Sequence, residues 1–153
     1  MEDNTRNILK IEHMLKDGGT YVGPVVGISM LPMLRQRRDS IVVRPKSERL
    51  KPLDVALYKV DEAYVLHRVL SLTDDGYIIR GDNCYTNEHI LEEKVFGVLT
   101  EFFRDEKRIL CTDKKYLRYA KRRIKTYKIR RFFVIVKAKF KAGWKKIFKR
   151  KGT

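Results

Sequence analysis

The feature that most constrains the fold is a series of short apolar runs, each bounded by residues that favour turns. Val, Ile, Leu, Tyr and Phe dominate the runs, and Pro, Asp-Gly or Gly-Asp-Asn sequences separate them. Strand after strand with little helix between them is typical of an antiparallel β domain. The sequence therefore predicts a mainly β fold of folded-over antiparallel sheets. The six runs cover residues 20–27, 40–45, 54–60, 64–72, 76–81 and 95–103.

A short amphipathic helix is predicted before the strands, within residues 1–19. The Gly18-Gly19 pair would end it, and either Asn4 or Thr5 would cap its start. Its apolar residues recur at the spacing of one helix face, which we expect to pack on the β domain. These residues are Ile8, Ile11, Met14 and Leu15.

The net charge of +16 is concentrated at the C-terminal end of the 153-residue chain. Residues 1–100 carry 14 basic and 15 acidic residues, whereas residues 101–153 carry 21 basic and 4 acidic residues. No acidic residue follows Asp113. This asymmetry indicates a β domain at residues 20–112 followed by a basic tail at residues 113–153, which the spacing of apolar residues predicts to be helical.

The tail predicts a polyanionic partner. An anionic membrane surface fits best, because aromatic side chains at helical intervals beside lysines are typical of interfacial helices. Nucleic acid would also attract the charge, and a helix packed on the β domain is a third interpretation. The candidate binding residues are Arg122, Arg123, Lys125, Arg130, Arg131, Phe140, Trp144, Lys145 and Lys146.

The location expected from the sequence is cytoplasmic, with peripheral attachment to a membrane through the tail. The first residues contain no apolar core typical of a signal peptide, and no run approaches the roughly 20 apolar residues that span a bilayer. Cys84 and Cys111 should then be reduced. We predict no metal and no cofactor, because His67, His89 and Cys84 form only a loose set without zinc-site spacing.

Three stretches of the β domain contain side chains that could cooperate in hydrolysis. Ser29 lies in a turn-like segment, His67 in an otherwise apolar run, and Asp82 and Glu88 follow a later run. A serine hydroxyl becomes a good nucleophile when an imidazole removes its proton, and a carboxylate orients that imidazole. Either Glu88 or Asp82 could be the carboxylate. The other histidines, His13 and His89, fit solvent-exposed or capping roles better.

Three sequence boxes carry a resemblance to a known family. They read "GISMLPML", "ALYKV" with "YVLHRVL", and "YIIRGDN", and they extend from about Gly27 to Leu99, roughly half the chain. In this order they resemble the signal peptidase I superfamily, which includes the LexA-type self-cleaving repressors. The resemblance implies the folded-over β fold of that superfamily, with Ser29 as nucleophile.

The second box most resembles that of the endoplasmic-reticulum type of signal peptidase. Most bacterial members have a lysine base where this chain has His67, followed by Arg68. The third box supplies Gly81, Asp82 and Asn83, of which the aspartate is usually structural in the family. A later family aspartate corresponds to Glu88, so the third catalytic member stays open between Glu88 and Asp82.

Residues around the serine would shape an oxyanion site. Gly27 permits an unusual backbone conformation, and the backbone N–H of Ser29 could donate to a developing oxyanion. Some bacterial members add a serine hydroxyl two residues before the nucleophile, where this chain has Gly27. Met30 belongs to the same box, and Pro32 fits the start of a short helix that would fix the loop.

The sequence thus predicts a serine endopeptidase that cleaves a leader or regulatory peptide bound as an extended strand. The alternative is a non-catalytic adaptor that keeps the peptidase fold and binds a membrane surface or nucleic acid through its tail. The sequence does not predict an oligomeric state.

Overall fold

A computed structural model of the protein describes residues 11–61 and 63–137. Helix α1 covers residues 11–16, α2 covers Lys114–Lys125 and α3 covers residues 127–137, and a single 3-10 turn covers Glu92–Lys94. The strands of this part are β1 (Tyr21–Pro24), β2 (Asp39–Pro45), β3 (Val55–Val60), β4 (Ala63–Leu72), β5 (Gly76–Arg80), β6 (Glu88–Leu91), β7 (Val95–Arg104) and β8 (Lys107–Leu110).

All the paired strands are antiparallel, in the order β1-β2-β7-β3-β4-β5-β6, with β8 added to β7. The prediction of a mainly β antiparallel fold is therefore confirmed. Strand β7 holds the sheet together, since β2 pairs along one edge while β3 and β8 share the other. Register shifts at Val42/Val43, Leu57/Tyr58 and Val69/Ser71 mark bulges, which bend a sheet and increase its twist.

The sequence prediction differs from the observed strands in three places. Strands β6 and β8 were not predicted, because their sequences "EHIL" and "KRIL" begin with polar residues and are only four residues long. The first predicted run, 20–27, forms a strand only over Tyr21–Pro24. Pairing with β2 ends at Pro24, which has no backbone N–H to donate to a ladder.

Strand β3 separates two apolar cores because its side chains alternate between the two faces of the sheet. Val55 and Leu57 belong to the first core cluster, and Ala56 and Tyr58 belong to the second. All four are buried, as expected for a central strand covered on both sides. The first cluster also contains Leu15, Val25, Met30, Met33, Leu34, Ile41, Val43, Leu99, Phe102 and Tyr116, and the second contains Leu50, Val69, Tyr77, Ile79 and Val95.

Helices α1 and α2 pack on the first core cluster. Leu15 of α1 is buried there, and Gly18, at φ +76°, ends the segment as the sequence predicts. In α2, Tyr116 and Ala120 are buried. The first helix of the predicted tail is therefore part of the packed domain, which was the third interpretation of the tail. The proposed caps Asn4 and Thr5, and Ile8, lie outside the described residues.

A buried ion pair connects β4 to the turn after β5 and to α2. The guanidinium of Arg68 donates from Nε and Nη2 to the two carboxylate oxygens of Asp82, each at 2.8 Å. Tyr116 and Tyr119 of α2 join the pair, at 3.1 Å from Arg68 Nη1 and 3.0 Å from Asp82 Oδ2. Burial lowers the pKa of Arg68, but the hydrogen bonds and charge of Asp82, together with Tyr116, outweigh burial in sum and raise that pKa.

In the described part of the chain, no helix combines the length and the apolar character needed to cross a bilayer.

Replacement of Asp82 by Asn should strongly destabilise the protein. The change leaves the buried Arg68 charge without its counter-ion, which typically costs about 3–5 kcal/mol. Chemical denaturation of wild type and Asp82→Asn would measure the loss in free energy of unfolding. Asp75→Asn is the matched control, because the Asp75–His89 pair is exposed, and its unfolding midpoint should barely move. Equal midpoints for wild type and Asp82→Asn would contradict the structural role of this pair.

Candidate active site

Ser29 lies in a tight turn that follows β1. Gly27 enters the turn with φ +87°, a conformation that favours glycine. Met30 anchors the turn, because its carbonyl accepts from the N–H groups of Met33 and Leu34 at 2.9 and 3.1 Å and its side chain is buried in the first core cluster. The helix expected at Pro32 is not formed, since this single turn is not continued and so short a run gains too few hydrogen bonds to form a helix.

The Gly-Asp-Asn turn after β5 holds the serine turn in place. The backbone N–H of Asn83 donates to the carbonyl of Ser29 at 2.7 Å, and its side-chain amide donates to the carbonyl of Ile28 at 3.2 Å. Ser29 itself is half-buried. Within the described part of the chain its backbone N–H donates no hydrogen bond, so this donor is available to a ligand.

His67 projects from β4 onto the face that carries the second core cluster. Tyr58 pairs with Val65 across the β3–β4 ladder, two residues before His67, so Tyr58 and His67 are diagonal neighbours on one face. Glu88 of β6 reaches the same place, because it pairs with Ile79 of that face. The sheet register therefore brings an imidazole, a phenol and a carboxylate together.

The contacts of His67 define which ring nitrogen carries its proton. Nδ1 lies 2.8 Å from the Tyr58 hydroxyl and 3.1 Å from Glu88 Oε1, and the Tyr58 hydroxyl donates to Glu88 Oε2 at 2.8 Å. Burial and the neighbouring Glu88 raise the pKa of Tyr58, so its single proton stays available for that donation. Nδ1 then faces two acceptors and must carry the ring proton, which leaves Nε2 with a free lone pair.

The imidazole is held as a neutral base. Burial lowers the pKa of His67 below its usual 6.5, and the charges of Glu88 and Asp82 oppose this only in part. At neutral pH the ring is therefore uncharged and able to accept a proton at Nε2.

The free nitrogen of His67 lies beside the serine turn. Nε2 is buried and has no hydrogen-bond partner among the residues that the structure describes. A Cβ atom at position 81 would lie 2.9 Å from this nitrogen, 2.7 Å from the backbone oxygen of Ser29 and 2.7 Å from Sγ of Cys84. The base and the serine thus border the same small space at Gly81, although their side chains make no hydrogen bond. Such catalytic contacts are often long until substrate binds.

The two candidate acids have different partners. Glu88 contacts His67, whereas the carboxylate of Asp82 is engaged by Arg68 and Tyr119 on the other side of the sheet. Since Arg68 and His67 are adjacent on β4, their side chains point to opposite faces. The geometry therefore assigns the position beside the base to Glu88 and a structural position to Asp82.

Of the remaining polar candidates, the two other histidines lie on the surface, whereas Cys84 borders the space at Gly81. His13 is exposed, and His89 contacts Asp75 at 2.9 Å on the surface. Burial raises the pKa of the Cys84 thiol, and burial raises the pKa of Cys111 to about 11. Both thiols are therefore weak nucleophiles at neutral pH. No cluster of three or more metal-ligating side chains occurs among the residues that the structure describes.

Sequence reasoning missed Tyr58, which bridges the base and the acid. The sequence contains a signal that predicts this position of Tyr58. The turn at Asp61 joins β3 directly to β4, and so short a hairpin fixes the register between the two strands. Counting back from that turn would have placed Tyr58 diagonally beside His67. The side-chain bridge itself depends on Glu88 in β6, a strand that was not predicted.

The proposed polyanion-binding residues of the tail occupy three kinds of position. Arg123 and Arg130 point inward, where Nε of Arg123 and Nη1 of Arg130 donate to the backbone oxygen of Asp82 at 3.0 and 3.2 Å. Arg122, Lys125 and Arg131 are exposed to solvent. The other members, Phe140, Trp144, Lys145 and Lys146, lie outside the described residues.

No protein-family model matches the chain, and no curated protein aligns with it significantly. The resemblance to signal peptidases therefore rests on the three short sequence boxes alone.

Replacement of Glu88 by Gln should lower the pKa of His67 further. The carboxylate beside Nδ1 favours the charged imidazole, so its removal leaves burial to act with less opposition. Titration of the His67 ring by NMR would show the midpoint moving to lower pH. Glu93→Gln is the matched control, because Glu93 is exposed on the neighbouring 3-10 turn. An unchanged or raised His67 midpoint in Glu88→Gln would contradict the assigned contact.

Proposed function

We propose that the protein is a serine endopeptidase of the signal peptidase I type, with Ser29 as nucleophile, His67 as general base and Glu88 as the residue that orients the base. The observation that carries the proposal is the buried, unpartnered Nε2 of a neutral imidazole next to the serine turn. Unpaired buried polar atoms are rare in folded proteins. The unpaired state of Nε2 is explained if this nitrogen accepts the proton of Ser29 during acylation.

The proposed reaction is an acyl transfer through an acyl-enzyme on Ser29. The Ser29 hydroxyl passes its proton to Nε2 of His67 as its oxygen bonds to the scissile carbonyl carbon. In this reaction the backbone N–H of Ser29 would donate to the developing oxyanion. The imidazolium then returns the proton to the leaving amine as the peptide C–N bond breaks, and water hydrolyses the acyl-enzyme by the same base. Glu88 and Tyr58 keep Nδ1 protonated throughout.

We also propose that the substrate binds as an extended strand beside β1. Among the described strands, β1 pairs only with β2, so its other edge is available for a peptide strand. The chain leads from that edge directly to Ser29. Val26 and Ile28 lie on the segment between β1 and Ser29, and their exposed fractions are 84% and 58%. This exposure supports apolar contacts with the bound peptide.

One observation favours the second candidate, a non-catalytic adaptor with a peptidase fold. His67 Nε2 makes no hydrogen bond to Ser29. The same would be observed in a peptidase-like site that is no longer catalytically active. A covalent probe of serine nucleophilicity separates the two functions.

A fluorophosphonate probe should label Ser29 in the wild-type protein. Activation of the hydroxyl depends on the base, so His67→Ala should slow labelling by about 10²–10⁴-fold, and Ser29→Ala should abolish it at this site. Peptide mass spectrometry would locate and quantify the adduct. Ser71→Ala and His89→Ala are the matched controls, because both residues are exposed and His89 contacts Asp75 and Thr73 rather than His67 or Ser29. Wild-type protein without an adduct on Ser29 would support the adaptor.

The rate of this labelling should rise with pH along a curve centred below pH 6.5. The base acts only when neutral, and burial lowers the pKa of His67 from 6.5, so the rate is lost as pH falls through that lowered pKa. Glu88→Gln should move the midpoint to still lower pH and reduce the plateau, since Nδ1 loses its orienting carboxylate. Both changes can be measured by labelling for a fixed time at pH values between about 4 and about 8, a range that includes the usual pKa values of Glu and His. A midpoint above 6.5 would exclude this neutral His67 as the base.

A further inference from the structure

Helix α3 contains an uninterrupted apolar segment that stays largely exposed in the described part of the chain. Phe132 and Phe133 are 62% and 64% exposed, and Val134 and Ile135 are each 45% exposed. Four consecutive helical residues point in all directions around the axis, so these side chains form a belt rather than a single stripe. We call residues 132–135 the apolar belt. Exposed apolar patches of this kind mark interaction sites.

The start of α3 is fixed to the turn that positions Ser29. Tyr127 stacks on Tyr85 and lies under the guanidinium of Arg80, 3.5 Å from the ring centroid. Arg130 donates to the backbone oxygen of Asp82 at 3.2 Å. The apolar belt begins two residues later, about 3 Å further along the helix axis. Whatever binds the belt is therefore held close to the Gly-Asp-Asn turn.

The surroundings of the belt determine which partner fits. Lys128, Arg131 and Lys137 are exposed around it, and residues 114–137 contain no acidic residue. A second copy of the chain would carry the same positive charge and be repelled. Nucleic acid would match the charge and could stack its bases on Phe132 and Phe133, but it has no apolar region to receive Val134 and Ile135. An anionic bilayer surface satisfies both properties, because its headgroups attract the cations and its acyl region accepts the apolar side chains.

We propose that the apolar belt inserts into the surface of an anionic membrane, with the exposed cations of α3 on the lipid headgroups. This docking does not depend on the peptidase activity. It fixes the domain at the bilayer with the Ser29 turn beside the lipid surface.

The test is co-sedimentation of the full chain with vesicles of phosphatidylcholine containing phosphatidylglycerol. The wild-type protein should bind these vesicles, and binding should fall by at least about 10-fold on vesicles of phosphatidylcholine alone. The double variant F132S/F133S should bind the anionic vesicles at least about 10-fold more weakly. Both phenylalanines are exposed, so the folded domain should be retained, which circular dichroism would verify.

Val22→Ser is the matched control, since Val22 is also 62% exposed but lies on β1, and it should bind like wild type. Wild-type binding by F132S/F133S would overturn the proposal and assign docking to another segment. Equal binding to neutral and anionic vesicles would also overturn it, as would binding to a single-stranded RNA without binding to vesicles. Fluorophosphonate labelling of the same samples reports the peptidase proposal separately.

Discussion

The buried ion pair between Arg68 and Asp82 is the interaction on which the candidate site depends. It fixes the Gly-Asp-Asn turn against β4 and α2, and the next residue of that turn, Asn83, holds the carbonyl of Ser29. Because neighbouring residues of a strand face opposite sides, the same β4 segment that anchors the turn through Arg68 also presents His67 toward the second core cluster. One strand therefore supplies both the anchor of the Ser29 turn and the proposed base.

On the other face, the state of the base is set by burial and by a hydrogen-bond network. Burial keeps the imidazole neutral, while Glu88 and Tyr58 occupy Nδ1 and so direct the lone pair of Nε2 toward Gly81. Burial alone would leave the tautomer undefined, and a carboxylate alone would favour the charged ring. The Tyr58 hydroxyl donates to Glu88 and accepts from Nδ1. It thereby fixes the tautomer of the ring while the ring stays neutral.

The parts of this arrangement differ in how far the sequence could predict them. Apolar alternation and turn residues predict the β class and most strands, and the box residues identify Ser29 and His67. The partner of His67 could not be chosen from sequence, since the choice of Glu88 depends on the pairing of β6 with β5, and β6 is a short polar strand. The sequence predicts the tail as one unit, but α2 is packed through Tyr116 and Ala120 whereas α3 exposes the apolar belt. Both helices have basic amphipathic sequences, so only contacts with the sheet distinguish them.

The space around Gly81 also bears on how relatives of this chain can be recognised. A methyl group at this position would meet the Ser29 carbonyl, the His67 ring and the Cys84 sulfur, all closer than 3.0 Å, so no other amino acid is compatible with the assembled turn. A glycine fourteen residues after the strand histidine, followed by Asp-Asn, is thus a steric signature of this geometry. Divergent homologues that keep the serine and histidine but carry a larger residue there would have to widen the gap between them.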